Sequence, residues 1–307
     1  MLNDIQKKIL QEVADMTGIP DGAVNIRSDG QKEYRQNSAH ITIESKTDKD
    51  GIDIRIAPFT KNENVHIPVV LTKSGFQDMV YNDFFVGEGA DVRIVAGCGI
   101  HNCGDCDSQH DGIHTFYVGK NAKVTYIEKH YGEGDGRGKR ILNPQTIVYL
   151  EEGASIVMET SQIAGVDDTK RYTKVVAEGA GSEVQITEKL LTDSDQHAIS
   201  EMDVILNGEG SRTRVISRSV AKGSSTQLFY PRVQGNGPCF GHVSCDAIIM
   251  NEAKVRAIPE ISCNHVDAAL IHEAAIGRIA GEQILKLETL GLTPEEAEEK
   301  ILEGFLR

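Results

Sequence analysis

Apolar and polar residues alternate in short runs between about Tyr34 and Pro259, for example in AHITIES, AKVTYIEKH and SEVQITEKL. A two-residue period is typical of strands that bury one face. Glycine, asparagine and aspartate separate the runs, as turn residues do. The pattern therefore predicts a mainly β protein over this region.

The runs also repeat along the chain. A small residue, a spacer and a β-branched residue recur in GADV, NAKV, GASI, GSEV and EAKV, and the β-branched members are Val92, Val124, Ile156, Val184 and Val255. The first two intervals are 32 residues and the third is 28. A near-constant period is typical of repeat architectures, so we predict a β-solenoid. A sandwich or barrel is the alternative.

Helical periodicity replaces this alternation near the N-terminus. The apolar stripe ends before the helix-breaking segment TGIP and consists of Leu2, Ile5, Ile9, Val13 and Met16.

Helical periodicity returns after Pro259. Residues 280–290 predict a helix that Gly291 ends. A second helix is predicted to begin with Thr293 as N-cap, Pro294 in the first position and Glu296 completing a capping box. The two helices would either cap the end of the solenoid or form a docking surface for a partner.

These patterns divide the chain into an N-terminal helix over 1–20, a β body over 21–265 and a C-terminal helical segment over 266–307. Tryptophan is absent and aromatic residues make up only 5% of the chain, so Val, Ile and Ala must fill the core.

Charge and composition exclude several functional classes. A net charge of −14 argues against nucleic-acid binding. No apolar run is long enough to cross a bilayer, and the charged start of the chain is unlike a signal peptide. We therefore expect a cytoplasmic protein whose six cysteines are ligands, reactive thiols or packing residues rather than disulfides.

One loop concentrates candidate metal ligands. Cys98, Cys103 and Cys106 have the spacing C-x4-C-x2-C, which matches the first three ligands of a plant-type ferredoxin loop. A zinc site is the other metal hypothesis, with nearby imidazoles from His101, His110 and His114. Alternatively, the thiols pack beneath a loop as small apolar residues.

The segment GEGDGRGKR superficially resembles a phosphate-binding loop. Glu133 stands where such a loop needs its first glycine, and Arg140 replaces the Ser or Thr that would bind magnesium. We therefore expect a mobile glycine-rich connection, and no nucleotide hydrolysis by this chain.

A second group of thiols lies downstream, at Cys239, Cys245 and Cys263, followed by His272 and Glu273. Adjacent side chains diverge unless the backbone bends. Spacing alone indicates ordinary core and surface residues here.

The segments CDAIIMNEAKVRAIPEI and HEAAIGRIAGEQILKLETLGLTPEEAEEKILEGFL change this interpretation. Together with SRSVAKGSS upstream, they resemble the C-terminal pattern of the SufB/SufD scaffold proteins of the SUF iron–sulfur cluster assembly system. The resemblance implies a right-handed parallel β-helix with short helical ends, pairing with a second copy. It also implies that the C-terminal helical part docks an ABC-type ATPase, SufC.

The resemblance assigns roles to three residues. Cys245 matches the SufB cysteine implicated in building the nascent cluster, and Glu273 matches a carboxylate of the SufB motif EHEA. His272 matches the histidine of that motif and the functional histidine of SufD. Ile271 departs from SufB, which has Glu there, so the chain combines features of both paralogues.

The resemblance thus implies a non-enzymatic scaffold that holds a transient iron–sulfur cluster at a dimer interface, with Cys245 of one subunit facing His272 of the other. The dimer would be homomeric, or include a SufD-like chain, and a sulfur donor and recipient apo-proteins would be further partners. The alternatives are a structural β-solenoid platform and, less favoured, a carbohydrate-active β-helix enzyme.

Overall fold

The chain folds into a β-solenoid of about eight turns with short helices at both ends, as the repeats predict. The computed structural model describes residues 2–306. Among these residues, no helix is long and apolar enough to cross a membrane.

Two long sheets form the walls of the solenoid. The first sheet contains, in chain order, β1 (Ala23–Ser28), β2 (Gln31–Gln36), β5 (Lys61–Leu71), β7 (Asp91–His101), β9 (Lys123–Glu133), β12 (Ser155–Ala164), β14 (Glu183–Thr192), β16 (Ser211–Ala221), β18 (Cys239–Ile249) and β21 (Ala268–Gly277).

The second sheet faces the first across the core. It contains β3 (Ile41–Ser45), β4 (Gly51–Ile56), β6 (Gln77–Val86), β8 (Ser108–Val118), β10 (Arg140–Leu142), β11 (Gln145–Leu150), β13 (Asp168–Ala177), β15 (His197–Leu206), β17 (Thr226–Gly235), β19 (Lys254–Ala257) and β20 (Glu260–Cys263). The strands pair in parallel except for β1 with β2 and β3 with β4, which are antiparallel.

The predicted repeat corresponds to stacked positions in the first sheet. Val92 pairs with Val124, Val124 with Ile156, and Ile156 with Val184, one per turn of the solenoid. Val255 departs from this set because it lies on β19 in the second sheet, where it pairs with Gln227. The EAKV segment therefore resembles the others in composition but occupies a different wall.

One continuous apolar core runs through the solenoid and is built mainly from Val, Ile and Ala, as the composition requires. Three of its aromatic rings cluster on β6, β8 and β9. Phe84 and Phe116 stack with centroids 4.2 Å apart, and Tyr126 meets Phe116 edge-on at 5.0 Å. All three side chains are fully buried.

The N-terminal helix α1 (Asp4–Ala14) packs against the outer face of the first sheet. Two glycines of β7 permit this contact: a Cβ on Gly97 would lie 2.3 Å from the Val13 carbonyl oxygen, and one on Gly99 would lie 2.1 Å from Ile9. Because strand residues alternate, Cys98 between them faces the interior.

The C-terminal helices are α2 (Gly281–Glu288) and α3 (Pro294–Phe305). Thr293 caps α3 and forms the predicted capping box with Glu296. Helix α3 also packs back on the solenoid, where Arg218 Nη1 donates to the Phe305 carbonyl oxygen at 3.2 Å.

The boundary predicted at 265/266 is displaced in the structure. Strand β21 occupies Ala268–Gly277, so this part of the predicted helical segment belongs to the β body. The reason is the inward–outward alternation of AALIHE, which lets these residues continue the first sheet beside β18.

The stacked aromatic rings give a first prediction. Phe116→Ala should lower the free energy of unfolding by about 3–5 kcal/mol, because it removes a fully buried ring and leaves a cavity. Tyr117→Ala is the matched control, since the neighbouring ring faces solvent and is 44% exposed. Urea denaturation followed by circular dichroism measures both, and equal losses would contradict the assignment of the interior face.

Candidate functional site

The solenoid brings Cys245 and His272 together at its C-terminal end. Cys245 lies on an inward position of β18 and is 3% exposed, whereas His272 lies on an inward position of the last strand, β21. His272 pairs in register with Val243, so its ring is diagonal to Cys245 on the same face. The Cys245 Sγ and His272 Nε2 atoms are 3.2 Å apart.

The electrostatic surroundings keep both groups neutral. Burial raises the pKa of the Cys245 thiol to about 12, and the carboxylates of Asp246 and Glu188 act in the same direction. Burial lowers the pKa of His272, as does nearby His242, while Glu273 opposes the change. The thiol therefore donates to the imidazole at neutral pH, and a metal ion must displace that proton to bind the sulfur.

Glu273 does not join Cys245 and His272. As the next residue on β21, it points to the outer face of the sheet and is mostly exposed. There its Oε2 lies 3.3 Å from Nε2 of His242, an outward residue of β18. The structure thus separates the three predicted ligands into an inward pair and one outward carboxylate.

The pairing of Cys245 with His272 also differs from the expectation that they face each other across two subunits. The two residues meet within one chain because β18 and β21 are neighbouring strands of one sheet. The outward pair, His242 and Glu273, is the part of this region that faces away from the solenoid interior.

A column of buried polar residues extends from this end into the solenoid. Parallel registers place Glu128, Thr160, Glu188, Ser217 and Cys245 at one position of successive turns. Each of these side chains is less than a tenth exposed. This column was not predicted from the sequence, although a signal is present there: polar residues recur at inward positions of strands that also carry inward Val, Ile and Met.

Arg171 joins this column from the second sheet. Its Nη1 lies 2.7 Å from Glu128 Oε2, its Nε lies 3.5 Å from Glu188 Oε2, and its Nη2 lies 3.1 Å from His130 Nδ1. Burial tends to raise the pKa of Glu128, but His130 and Arg171 hold that pKa well below its usual range. Burial raises the pKa of Glu188, and Arg171 opposes this change.

The three cysteines of the first thiol cluster do not converge. Cys98 faces the interior, where burial and then the charges of Asp78 and Glu128 raise its pKa well above the usual range. Cys103 and Cys106 are both exposed at the end of that strand. Within residues 2–306 no group of three or more His, Cys, Asp or Glu side chains is arranged to hold a metal ion.

Comparison with known protein families finds a match over most of the chain. The family model of the SUF system FeS cluster assembly SufBD core domain matches residues 72–305. The match spans most of the solenoid and both C-terminal helices. The chain therefore belongs to the SufBD family of iron–sulfur cluster assembly proteins.

Three relatives illustrate the range of similarity, and each is named as an iron–sulfur cluster assembly SufBD family protein. The chain is 31% identical over 286 residues to one from Archaeoglobus fulgidus, covering 90% of this chain and 73% of the relative. It is 25% identical over 275 residues to one from Methanocaldococcus jannaschii, and that match covers 88% of this chain and 86% of the relative. It is 28% identical over 229 residues to one from Methanothermobacter thermautotrophicus. That match covers 74% of this chain and 54% of the relative, so the chain spans about half of that relative's length.

The buried ion pairs give a second prediction. Arg171→Met should lower the free energy of unfolding by about 3–5 kcal/mol, because Glu128 and Glu188 would remain buried without their cation. Arg212→Met on the exposed face of β16 is the control and should change it by less than about 0.5 kcal/mol. Similar values for the two variants in urea denaturation would contradict the proposed network.

The buried histidines give a third prediction, on pH. Burial lowers the pKa of His114 to about 4, from an unfolded value near 6.5, although Glu128 opposes the change. The unfolded chain therefore binds more protons between these values, and stability must fall as the pH falls from about 6.5 to 4. His114→Gln should remove about 2–3 kcal/mol of this loss.

Urea denaturation of both proteins across this pH range measures the effect. Some slope should persist in the variant, because burial also lowers the pKa of His130. An unchanged slope would show that His114 is not held neutral in the interior.

Proposed function

We propose that this protein is a non-enzymatic scaffold that holds a nascent iron–sulfur cluster as cargo, with Cys245 and His272 as ligands. The observation that carries the proposal is the 3.2 Å contact between the Cys245 thiol and the His272 imidazole at the open end of the solenoid. Thiolate and imidazole are both suitable ligands for iron.

The donor set suits a cluster that must be passed on. A permanent cluster usually has four thiolates, whereas this end of the solenoid offers one thiol and one imidazole on its inner face. The raised pKa of Cys245 means that a proton competes with iron for the sulfur. Both features favour release of the cluster to recipient apo-proteins after a sulfur donor has supplied its sulfide.

The remaining ligands would come from a second chain, either another copy or a SufD-like subunit. Glu273 and His242 lie on the outer face beside the Cys245–His272 pair, and β21 is the last strand of its sheet. In a two-fold dimer, this edge of the first sheet would meet the same edge of the second subunit. Glu273 of one subunit would then complete a site whose inner pair belongs to the other.

An ABC-type ATPase of the SufC class would dock on α2 and α3. The proposal rests on the exposure of Leu285 and Leu290, which are 61% and 75% exposed on and just after α2. The segment GEGDGRGKR is not a phosphate-binding loop, because Glu133 and Arg140 occupy positions that such a loop fills with Gly and with Ser or Thr. Nucleotide hydrolysis would therefore take place in the partner, in the cytoplasm.

The fourth prediction tests the cluster site. After anaerobic co-expression with the ATPase, Cys245→Ala and His272→Ala should each lose most of the bound iron and sulfide and the visible absorption of the cluster. Iron and sulfide analysis with absorption spectroscopy measures the loss. The matched control is Cys263→Ser, which changes an exposed thiol at the same end of the solenoid.

Wild-type iron content in both Cys245→Ala and His272→Ala would overturn the assignment of ligands. Iron loss confined to Cys103→Ser and Cys106→Ser would place the cluster on the other thiol group. A wild-type protein without iron under these conditions would favour a structural platform.

The fifth prediction tests docking. The double variant Leu285→Glu/Leu290→Glu should weaken binding of the ATPase by about tenfold or more, because it places charges in an apolar contact. Tyr149→Glu, at a half-exposed ring on the second sheet, is the control and should bind normally. Calorimetric titration measures both, and equal affinities would place the ATPase elsewhere.

A further inference from the structure

The exposed cysteines of the first thiol cluster occur in the segment Cys103–Gly104–Asp105–Cys106, which has the C-x-x-C spacing of dithiols that cycle with a disulfide. Asn102 holds the turn: its side-chain oxygen accepts from the Gly104 amide at 3.0 Å, and its Nδ2 donates to the Cys106 carbonyl oxygen at 2.9 Å. Both thiols of this turn are exposed.

A histidine and a carboxylate are aligned on the first of these thiols. Nε2 of His101 lies 3.0 Å from Sγ of Cys103, and Nδ1 of His101 lies 3.1 Å from Oε1 of Glu133. A base in contact with a nucleophile, itself oriented by a third group, is the arrangement that activates thiols. Among residues 2–306, no such base contacts Cys106, and its side chain lies over Gly75.

Other charged groups surround this arrangement. The Asp135 carboxylate competes with His101 for the single proton of the Cys103 thiol, and its hydrogen bond with that thiol lowers the pKa of the Asp135 carboxyl. Lys8 of α1 and the Tyr131 hydroxyl both bond to Glu133, and these contacts, which outweigh burial, lower its pKa. Glu133 is therefore held ionised, ready to stabilise a charged His101.

The glycine-rich segment GEGDGRGKR has a structural role here and is not the loose connection that its composition predicts. The Gly136 amide donates to the Asn102 carbonyl oxygen at 3.1 Å, and the Gly138 amide donates to that of Gly104 at 2.9 Å. A Cβ on Gly136 would lie 2.3 Å from the Gly104 carbonyl oxygen, and one on Gly138 would lie 2.1 Å from that of Cys106. Glycine at alternate positions thus lets this segment pack directly on the turn and fix its shape.

We propose that Cys103 and Cys106 form a redox-active dithiol that reduces disulfides, with Cys103 as the attacking thiol. The proposal does not depend on the function assigned to Cys245 and His272.

The chemistry balances with a disulfide as the co-reactant. His101 takes the Cys103 proton, and the thiolate attacks one sulfur of the disulfide, which forms a mixed disulfide and releases one thiolate. Cys106 then attacks Cys103 in the mixed disulfide, and the second thiolate leaves. The dithiol loses two electrons, the substrate disulfide gains them, and the two protons from the cysteines go to the two released thiols.

The test uses the full chain and oxidised glutathione as the disulfide, under anaerobic conditions. Mass spectrometry of tryptic peptides should reveal an internal Cys103–Cys106 disulfide, lighter than the dithiol by two hydrogen atoms. Cys106→Ser should instead accumulate a mixed disulfide of glutathione with Cys103. With iodoacetamide, Cys103 should react about tenfold faster than the exposed Cys263.

Two variants test whether His101 and Glu133 activate the Cys103 thiol, with alkylation of Cys263 as the control for intact folding. His101→Asn and Glu133→Gln should slow alkylation of Cys103 by about tenfold, while alkylation of Cys263 in the same samples should not change. Gly136→Ala should displace the turn and suppress the internal disulfide, because its Cβ has no room beside Gly104.

The proposal is overturned if glutathione labels Cys103, Cys106 and Cys263 equally without an internal disulfide. It is also overturned if added zinc or ferrous iron binds stoichiometrically and protects both cysteines, since the turn would then be a metal site. The cluster site is tested separately, by the iron content of Cys245→Ala and His272→Ala, so the two proposals can fail independently.

Discussion

The in-register stacking of parallel strands is the constraint on which the rest of this structure depends. Each turn of the solenoid repeats the inward and outward positions of the turn before it, so the position of a residue along its strand determines whether its side chain faces the interior or the surface. Cys98 is buried because Gly97 and Gly99 take the outward positions against α1. His272 reaches Cys245 for the same reason, and Glu273 cannot.

This stacking also explains how the interior tolerates charge. Glu128 and Glu188 occupy equivalent positions two turns apart, with Thr160 between them, and Arg171 from the opposite sheet contacts both carboxylates. A buried carboxylate without such a partner would cost several kcal/mol, whereas a paired one fixes the alignment of the two walls. The polar column and the apolar core are thus two stripes of one interior.

The sequence predicts the fold well because period, alternation and helix caps are local signals. Val92, Val124, Ile156 and Val184 repeat in the chain and stack in the structure, and Thr293 caps α3 as predicted. The sites are harder to predict because they depend on strand parity and on which strands become neighbours. The contact between Cys245 and His272 requires that β21 pair with β18, and the packing of the glycine-rich segment on the Cys103 turn requires the next turn of the solenoid.

The central claim is that His272 and Cys245 of one chain bind the same cluster. Pulsed electron paramagnetic resonance on the reduced cluster, in protein carrying isotopically labelled histidine, tests this most directly. We expect a nitrogen hyperfine coupling in the wild-type protein that persists in His101→Ala, whereas His272→Ala should retain too little cluster to give the signal. A cluster without nitrogen coupling, or a coupling lost only in His101→Ala, would contradict it.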